Sequence, residues 1–500
     1  MSTDPTPPAG STVDERPREG RDGFFGQPRG LANLFSVELW ERFSFYGMQG
    51  IVLLYMYFQT TDGGLGIDQT VAAGIVGAYG GSVYLFSILG GWVADRLLGS
   101  ERTMFVSALL IMLGHVSLAV IPAVAGLAVG LVLIAVGSGG LKATITNLVG
   151  SLYGPQDTRR DAGFSIFYMG INIGGLVGPL LTGLVQQRWG FHLGFGLAAI
   201  GMAIGLAQYA LARRNLPDTA RHVPDPLPRA LYGRYLAIAA AAVVLVAVSV
   251  AAGWLDAGNL GTVVVTAIVV AAVVLFVLLL TSRHVDADER SRVVAFIPMF
   301  VGSVAFWALF QQQFTVITIY SDTRLDRDFS GLPLLGDWTM PIPWVQSFNP
   351  FFIILLAPLF AALWVRLGDR QPTTPVKFAL GISLMGAAFL VFLPMVGTAG
   401  VPVLWVAMIM LVATAGELML SPVGLSLSTK LAPKAYPVLM VSLFYLSLAL
   451  GTALSGTLAG FYSEEREAAY FGTLGAVTIG IGLVLLALSP WITRKMRGVR

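Results

Sequence analysis

The chain has 500 residues, of which 55% are hydrophobic and only 12% charged, with 31 Lys and Arg against 28 Asp and Glu for a net charge of +3. Soluble proteins carry about a quarter of their residues as charged side chains, so with a mean hydropathy of +0.75 a disordered chain and a single water-soluble core are both excluded. The small net charge gives no footing for nucleic acid, and no Cys with only four His leaves no disulfide framework, thiolate chemistry or zinc site.

In chain order, residues 1–30 hold Pro5, Pro7, Pro8 and Pro17 among mixed charges and no apolar run that could serve as a cleavable signal. They are expected as a cytoplasmic tail. Apolar stretches long enough to cross about 30 Å of hydrocarbon follow at 33–59, 71–98, 103–122, 125–151, 160–186 and 192–212. A polar, Pro-rich segment from Arg213 to Arg234 precedes two plain Ala/Val/Leu stretches at 235–254 and 260–282. Six more spans follow at 294–319, 345–366, 376–396, 401–430, 436–462 and 468–492. The expected fold is therefore all-α and polytopic, with fourteen transmembrane helices in a six, two, six order. The bundles are expected at 31–214 and 292–494, with an inserted hairpin at 229–283.

The basic residues test this layout. Of 31 Lys and Arg, Arg188, Arg324, Arg327 and Arg466 fall in external segments and Arg42 and Lys142 inside spans, while the remainder, such as Arg213, Arg214, Arg370, Lys434 and Arg494, are cytoplasmic. That bias leads us to expect both termini on the cytoplasmic side of the cell membrane. GGWVADRLLG from Gly90 and LWVRLGDR from Leu363 form a faint repeat between the bundles. Repeated halves are characteristic of secondary transporters, whose substrate site lies between them near the midplane. The central hairpin is apolar all round and is assigned no chemistry.

Five ionisable residues lie inside spans: Glu38, Glu41, Arg42, Lys142 and Glu417. At about 3 kcal/mol each on insertion scales, leaving all five toward lipid would cost roughly 15 kcal/mol, as much as a whole domain's stability. They must face a cavity or one another. Glu38, Glu41, Arg42, Phe45, Tyr46 and Gln49 fall on one continuous helical stripe. Two carboxylates beside a guanidinium make a proton switch physically plausible. Lys142 sits in GSGGLKATITN, whose Gly137, Gly139 and Gly140 let another helix approach closely. Glu417 sits in GELMLSP, where Pro422 frees a backbone carbonyl nearby. Positive groups thus come from the first half and a negative one from the second, which suits a ligand with two oppositely charged ends.

These residues carry a family resemblance. ELWERFSFYG from Glu38 resembles the ExxERFxYYG signature of the proton-coupled oligopeptide transporters, a branch of the major facilitator superfamily. FFGQPRGL, GGWVADRLLG, GSGGLKATITNLVGSLY, FYMGINIGGL from Phe167, QSFNP from Gln346 and GELMLSPVGLSLSTKLAP are similar to that family's motifs in the same order. The resemblance implies the major facilitator fold and a proton-coupling set of Glu38, Glu41, Arg42, Lys142 and Glu417. It further implies a substrate pocket in which Arg42 and Lys142 face the peptide carboxylate, while Asn172, Asn349 and Glu417 engage the amino group and backbone. Tyr46, Tyr84, Trp307 and Ser421 complete that pocket. Several positions depart from the family pattern. Phe45 replaces a tyrosine, Ala143 a proline, and Phe444 a tryptophan. Gln49 and Gln311 replace an Arg and an acid that can pair across the external gate, so any contact between them would be amide to amide or through water, and nearly independent of pH. Protonation of span seven is therefore not expected in the cycle.

The implied activity is proton-coupled import of di- and tripeptides by alternating access, by a monomer needing no cofactor or metal. The alternative is a proton-coupled transporter of the same fold for another solute, such as nitrate or a drug. An intramembrane enzyme is disfavoured because no HExxH or GxSxG motif occurs and His115 and His192 are isolated, best read as packing residues. A receptor has no need of buried proton-titratable groups.

Overall fold

The computed structural model describes residues 23–154, 157–213, 216, 218–330 and 337–499; most of the expected N-terminal tail, and Arg214, lie outside them. Because hydrocarbon offers backbone groups no partners, spanning segments close their hydrogen bonds within helices. The first bundle comprises α1 (Arg29–Tyr57), α2 (Gln69–Val93), α3 (Ser100–Val120), α4 (Ala123–Ser151), α5 (Arg160–Trp189) and α6 (Phe191–Ala212). The hairpin is α7 (Arg229–Ala251) and α8 (Leu260–Thr281). The second bundle comprises α9 (Ala287–Phe310), α10 (Val316–Thr323), α11 (Phe348–Leu367), α12 (Thr374–Leu390), α13 (Val403–Leu431), α14 (Pro437–Ala459) and α15 (Glu467–Lys495). Among the described residues, 13 helical segments are long and apolar enough to cross a membrane. The 29-residue α1 is not one of them, because the polar stripe from Glu38 to Gln49 dilutes its apolar content.

Span seven differs from the expected continuous stretch at 294–319. It stops at Phe310, tightens into one 3₁₀ turn at Gln311–Phe314, and restarts as α10 after Thr315 leaves helical geometry at φ −125°, ψ −94°. Neighbouring side chains take up the polar groups at this break. Thr318 Oγ1 donates to the Gln313 carbonyl (2.8 Å), and Tyr470 Oη donates to Gln312 Oε1 (2.7 Å). A second 3₁₀ segment, Ile342–Ser347, leads into α11.

Within the first bundle α1 packs between α5 and α6, and α3 and α2 pack on α4; in the second, α12 packs on α15 and α13, and α14 on α9. The halves meet at the end where α1 finishes. There α2 and α14 touch backbone to backbone: a Cβ on Gly77 would stand 2.7 Å from Gly456 Cα. Side chains complete the seal. Tyr57 Oη donates to Asp322 Oδ2 (2.7 Å), Trp344 Nε1 to the Leu180 carbonyl (2.9 Å), Ser347 Oγ to the Leu176 carbonyl (2.9 Å) and Gln187 Nε2 to the Thr339 carbonyl (3.1 Å). At the opposite end Tyr168 and Met169 of α5, Leu425 of α13 and Val438 of α14 are exposed. The halves are therefore joined by side chains at the end where α1 finishes.

The hairpin is asymmetric. Helix α7 buries none of its residues, whereas α8 buries Gly261, Ile268, Ala272 and Leu279 against α2 and α14. At the end where α2 finishes, Asp225 N and Leu227 N donate to the carbonyls of Asp95 and Arg96 (3.0 and 2.9 Å), and Arg96 pairs with Asp225, which fastens the segment between α6 and α7 to the α2–α3 turn.

Candidate functional site

Three charges on adjacent turns of α1 form the first part of the site. Glu38, Glu41 and Arg42 are all buried, and Arg42 Nε lies 2.9 Å from Glu38 Oε1 and 2.6 Å from Glu41 Oε2. Ser138 of α4 donates to Glu41 Oε1 (3.4 Å). It stands four residues before Lys142, one helical turn away and on the same face. Helix α4 runs unbroken through Ala143 and presses against α2, where a Cβ on Gly139 would stand 2.5 Å from the Phe86 backbone and one on Gly90 2.4 Å from Gly140 Cα. That close approach brings Lys142 to the cluster.

Lys142 has no carboxylate within the 4.0 Å of an ion pair among the described residues. Two rings hold it: its Nζ lies 5.5 Å from the centroids of Phe45 and of Tyr84. Arg42 also lies 5.5 Å from the Phe45 ring. The departure from tyrosine at Phe45 thus leaves a ring face shared by two cations, an arrangement worth about 2 kcal/mol per desolvated contact.

The walls join the halves through aromatic pairs. Tyr46 stacks on Phe314 at 6.0 Å, and Tyr84 on Tyr445 of α14 at 6.4 Å. Trp307 packs against Phe310 at 5.2 Å, and its buried Nε1–H has no partner, leaving a donor for a ligand. Across the cavity Asn349 Nδ2 donates to Glu417 Oε2 (2.9 Å) and Thr414 Oγ1 (3.0 Å). Ser421 is half-buried one turn beyond Glu417.

The structure adds detail at two expected positions. Asn172 donates one of its two side-chain N–H groups to the Tyr168 carbonyl of its own helix (2.9 Å), which leaves the second N–H and the oxygen. Gln49 and Gln311 form no hydrogen bond with each other: Gln311 Nε2 donates to Thr452 Oγ1 of α14 (3.1 Å), and the buried Gln49 Oε1 is unpartnered. With both charges gone, the hydroxyl one helix away is the nearer partner. Phe444, in the place of a tryptophan, lies over Gly424, where a Cβ would meet its ring at 2.5 Å. His115 is fully buried without a partner, and His192 Nδ1 lies 3.0 Å from the Leu118 carbonyl.

Helical spacing could have found Ser138 from Lys142 and Thr414 from Glu417. Nothing in the sequence points to Phe314 or Tyr445, whose places depend on how the halves dock. Tyr79 is a further addition: it stacks on Phe45 at 6.3 Å and its buried hydroxyl has no partner.

The PTR2 model of the POT family matches residues 101–478. The chain belongs to the POT family. It is similar over 482 residues, at 44% identity, to the uncharacterized transporter YclF of Bacillus subtilis, covering 95% of this chain and 96% of that one. It is 42% identical to the di-/tripeptide transporter of Lactococcus lactis subsp. cremoris, covering 95% and 98% of the two chains. A crystal structure of a mutant peptide transporter POT in complex with alafosfalin superposes with a TM-score of 0.90 at 45% identity, covering 95% and 97%. The fold is accordingly the major facilitator fold, and this POT chain is a multi-pass membrane transporter, not an enzyme. The family match begins at Glu101, so the α1 cluster lies before it. The two relatives and the solved structure extend the similarity over nearly the whole chain.

Proposed function

We propose that this POT transporter imports dipeptides and tripeptides together with protons by alternating access. The observation that carries this reading is a pair of unlike charges in the two bundles: Lys142, without a carboxylate partner among the described residues, beside Tyr84 in the first, and Glu417, fixed by Asn349, in the second, with Tyr84 stacked on Tyr445 between the bundles. A short peptide presents a carboxylate and an ammonium at its two ends. Extended backbone spans at most about 3.6 Å per residue, so a site that reads both ends admits only a few residues. The resemblance to di-/tripeptide transporters supports the same substrate class.

Charge accounting supports proton coupling. Glu38, Glu41 and Glu417 oppose Arg42 and Lys142, so one proton brings this buried set to neutrality and a zwitterionic peptide keeps it there. A proton on Glu38 or Glu41 removes one of the two charges holding Arg42, and the guanidinium then joins Lys142 at the peptide carboxylate. Asn349 and the Asn172 oxygen hold the other end, and Tyr46, Tyr84, Trp307 and Ser421 line the space between. The neutral Gln49 and Gln311 leave the external gate outside the titration. The two bundles, 31–214 and 292–494, act as the rocking units, with 229–283 as an appendage. The working unit of this reading is the monomer. The Lys/Arg distribution supports insertion in the cell membrane with both termini cytoplasmic.

Uptake of labelled dialanine into proteoliposomes under an imposed inward proton gradient tests the reading. Accumulation that collapses with a protonophore is expected. Accumulation of nitrate or a drug with no competition by dialanine would overturn it.

A further inference from the structure

Away from the central cavity, two hollows lie along one seam between α1 and α6. The first, about 360 Å³, opens at the end that carries the N-terminus and is lined by Gly23, Phe24, Arg29, Asn33, Gln208 and Ala212 among others. Asn33 is only 3% exposed, and neither its amide nitrogen nor its oxygen has a partner. Burying an unpartnered amide is costly, and helix–helix packing does not require a polar group here. Arg29 is exposed and makes no ion pair among the described residues. No side chain caps the N-terminus of α1, and its first turn holds no acid, so the helix end favours an anion.

The second hollow, about 260 Å³, is purely apolar and opens outward between α1, α5 and α6, with Trp40, Phe43, Val177, Leu181, Ile200 and Ile204 in its walls. Leu181, Ile200 and Ile204 are exposed. On α1, Arg29, Asn33, Trp40 and Phe43 follow one another along a single face, as do Ala212, Gln208, Ile204 and Ile200 on α6. From Asn33 to Phe43 the helix rises about 15 Å, half of a hydrocarbon core of about 30 Å.

We infer that this seam binds one phospholipid from the leaflet on the N-terminal side, its phosphodiester between Arg29 and the amides of Asn33 and Gln208, and one acyl chain in the apolar crevice. Charge complementarity selects an anionic headgroup. The unpartnered Asn33 amide supplies a donor to the phosphate, and the crevice accepts only hydrocarbon. Gln208 already accepts a hydrogen bond from Ser36 at its oxygen, which turns its exposed NH₂ outward as the second donor.

Native mass spectrometry and thermal unfolding of the purified full chain in detergent, with added phosphatidylglycerol or phosphatidylcholine, test the inference. The wild type is expected to retain one phosphatidylglycerol in preference to phosphatidylcholine and to melt higher with it. Asn33→Leu and Arg29→Gln should each weaken phosphatidylglycerol binding about tenfold, the effect of one charge-assisted hydrogen bond. Ile204→Trp, which fills the crevice, should reduce retention of either lipid. A merely structural Asn33 predicts something different: its replacement by Leu would change the melting temperature in lipid-free detergent and leave lipid retention alone. Equal retention by wild type and variants, equal binding of the two lipids, or equal stabilisation by chain-free glycerophosphoglycerol or inorganic phosphate would overturn the inference. Should Asn33→Leu fail to fold, Arg29→Gln and Ile204→Trp decide the matter.

Discussion

Replacing Phe45 with Leu removes the ring face that Arg42 and Lys142 share, each at 5.5 Å. The two cations are not equally exposed to the loss. Arg42 remains between two carboxylates at 2.9 and 2.6 Å, whereas Lys142 keeps only Tyr84. A desolvated cation–π contact is worth about 2 kcal/mol, which converts to about thirtyfold in an equilibrium constant. Peptide affinity, measured by calorimetry with dialanine on purified protein, is therefore expected to fall about thirtyfold in Phe45→Leu. Phe45→Tyr preserves the ring face and should stay within about threefold. Thermal unfolding of both variants separates a local effect from a folding defect. Wild-type affinity in a folded Phe45→Leu protein would refute the view that aromatic faces hold Lys142 in place of a carboxylate.

Four other outcomes follow from the geometry. Glu41→Gln should abolish gradient-driven uptake while peptide counterflow persists, and undiminished concentrative uptake would remove Glu41 from the coupling step. Glu417→Ala should weaken binding of free-amine dipeptides at least about tenfold more than of N-acetylated ones, since a hydrogen bond to a charged group is worth about 1.5–3 kcal/mol; equal losses would contradict its role at the amine. Tyr57→Phe removes the bond to Asp322 at the joint between the halves and should shift the population toward the state in which that joint is open by about tenfold at the lower end of that range. Because the chain has no Cys, spin labels at Asp62→Cys and Asp328→Cys report this as a longer distance, and an unchanged distribution would count against the seal. Restoring Gln49→Arg and Gln311→Glu together should alter gating kinetics more than the single changes predict, whereas additive effects would show that the two sites do not meet.

The helices and the buried charges were legible because insertion into hydrocarbon imposes strong, local rules: apolar length, basic flanks, and a high cost for any carboxylate left toward lipid. The α1 stripe followed from spacing alone, and Glu417 from its position in an apolar run. What escaped the sequence depends on three-dimensional competition. At the break at Gln311–Phe314, Thr318 takes up the Gln313 carbonyl that a continuous helix would bond itself, and Tyr470, 158 positions away in the sequence, holds the Gln312 side chain. Gln311 chose a partner, Thr452, that stands 141 positions away. Phe314 and Tyr445 became wall residues only through the docking of two bundles, which no local pattern encodes.

Of the four side-chain bonds that join the halves, three end on main-chain carbonyls, at Leu176, Leu180 and Thr339. A carbonyl is supplied by every residue type, so no substitution at those three positions deletes an acceptor. Constraint on the bonding falls on Trp344, Ser347 and Gln187 alone. Residues 176 and 180 are thereby free to vary with the lipid or helix they face. A carbonyl also has no titration in the range where proteins work, so these three clasps hold equally in acid and neutral media. Homologues are then expected to drift at the acceptor positions of this joint while keeping the donors, and a chimera exchanging α5 between relatives should still close provided that Gln187 is kept.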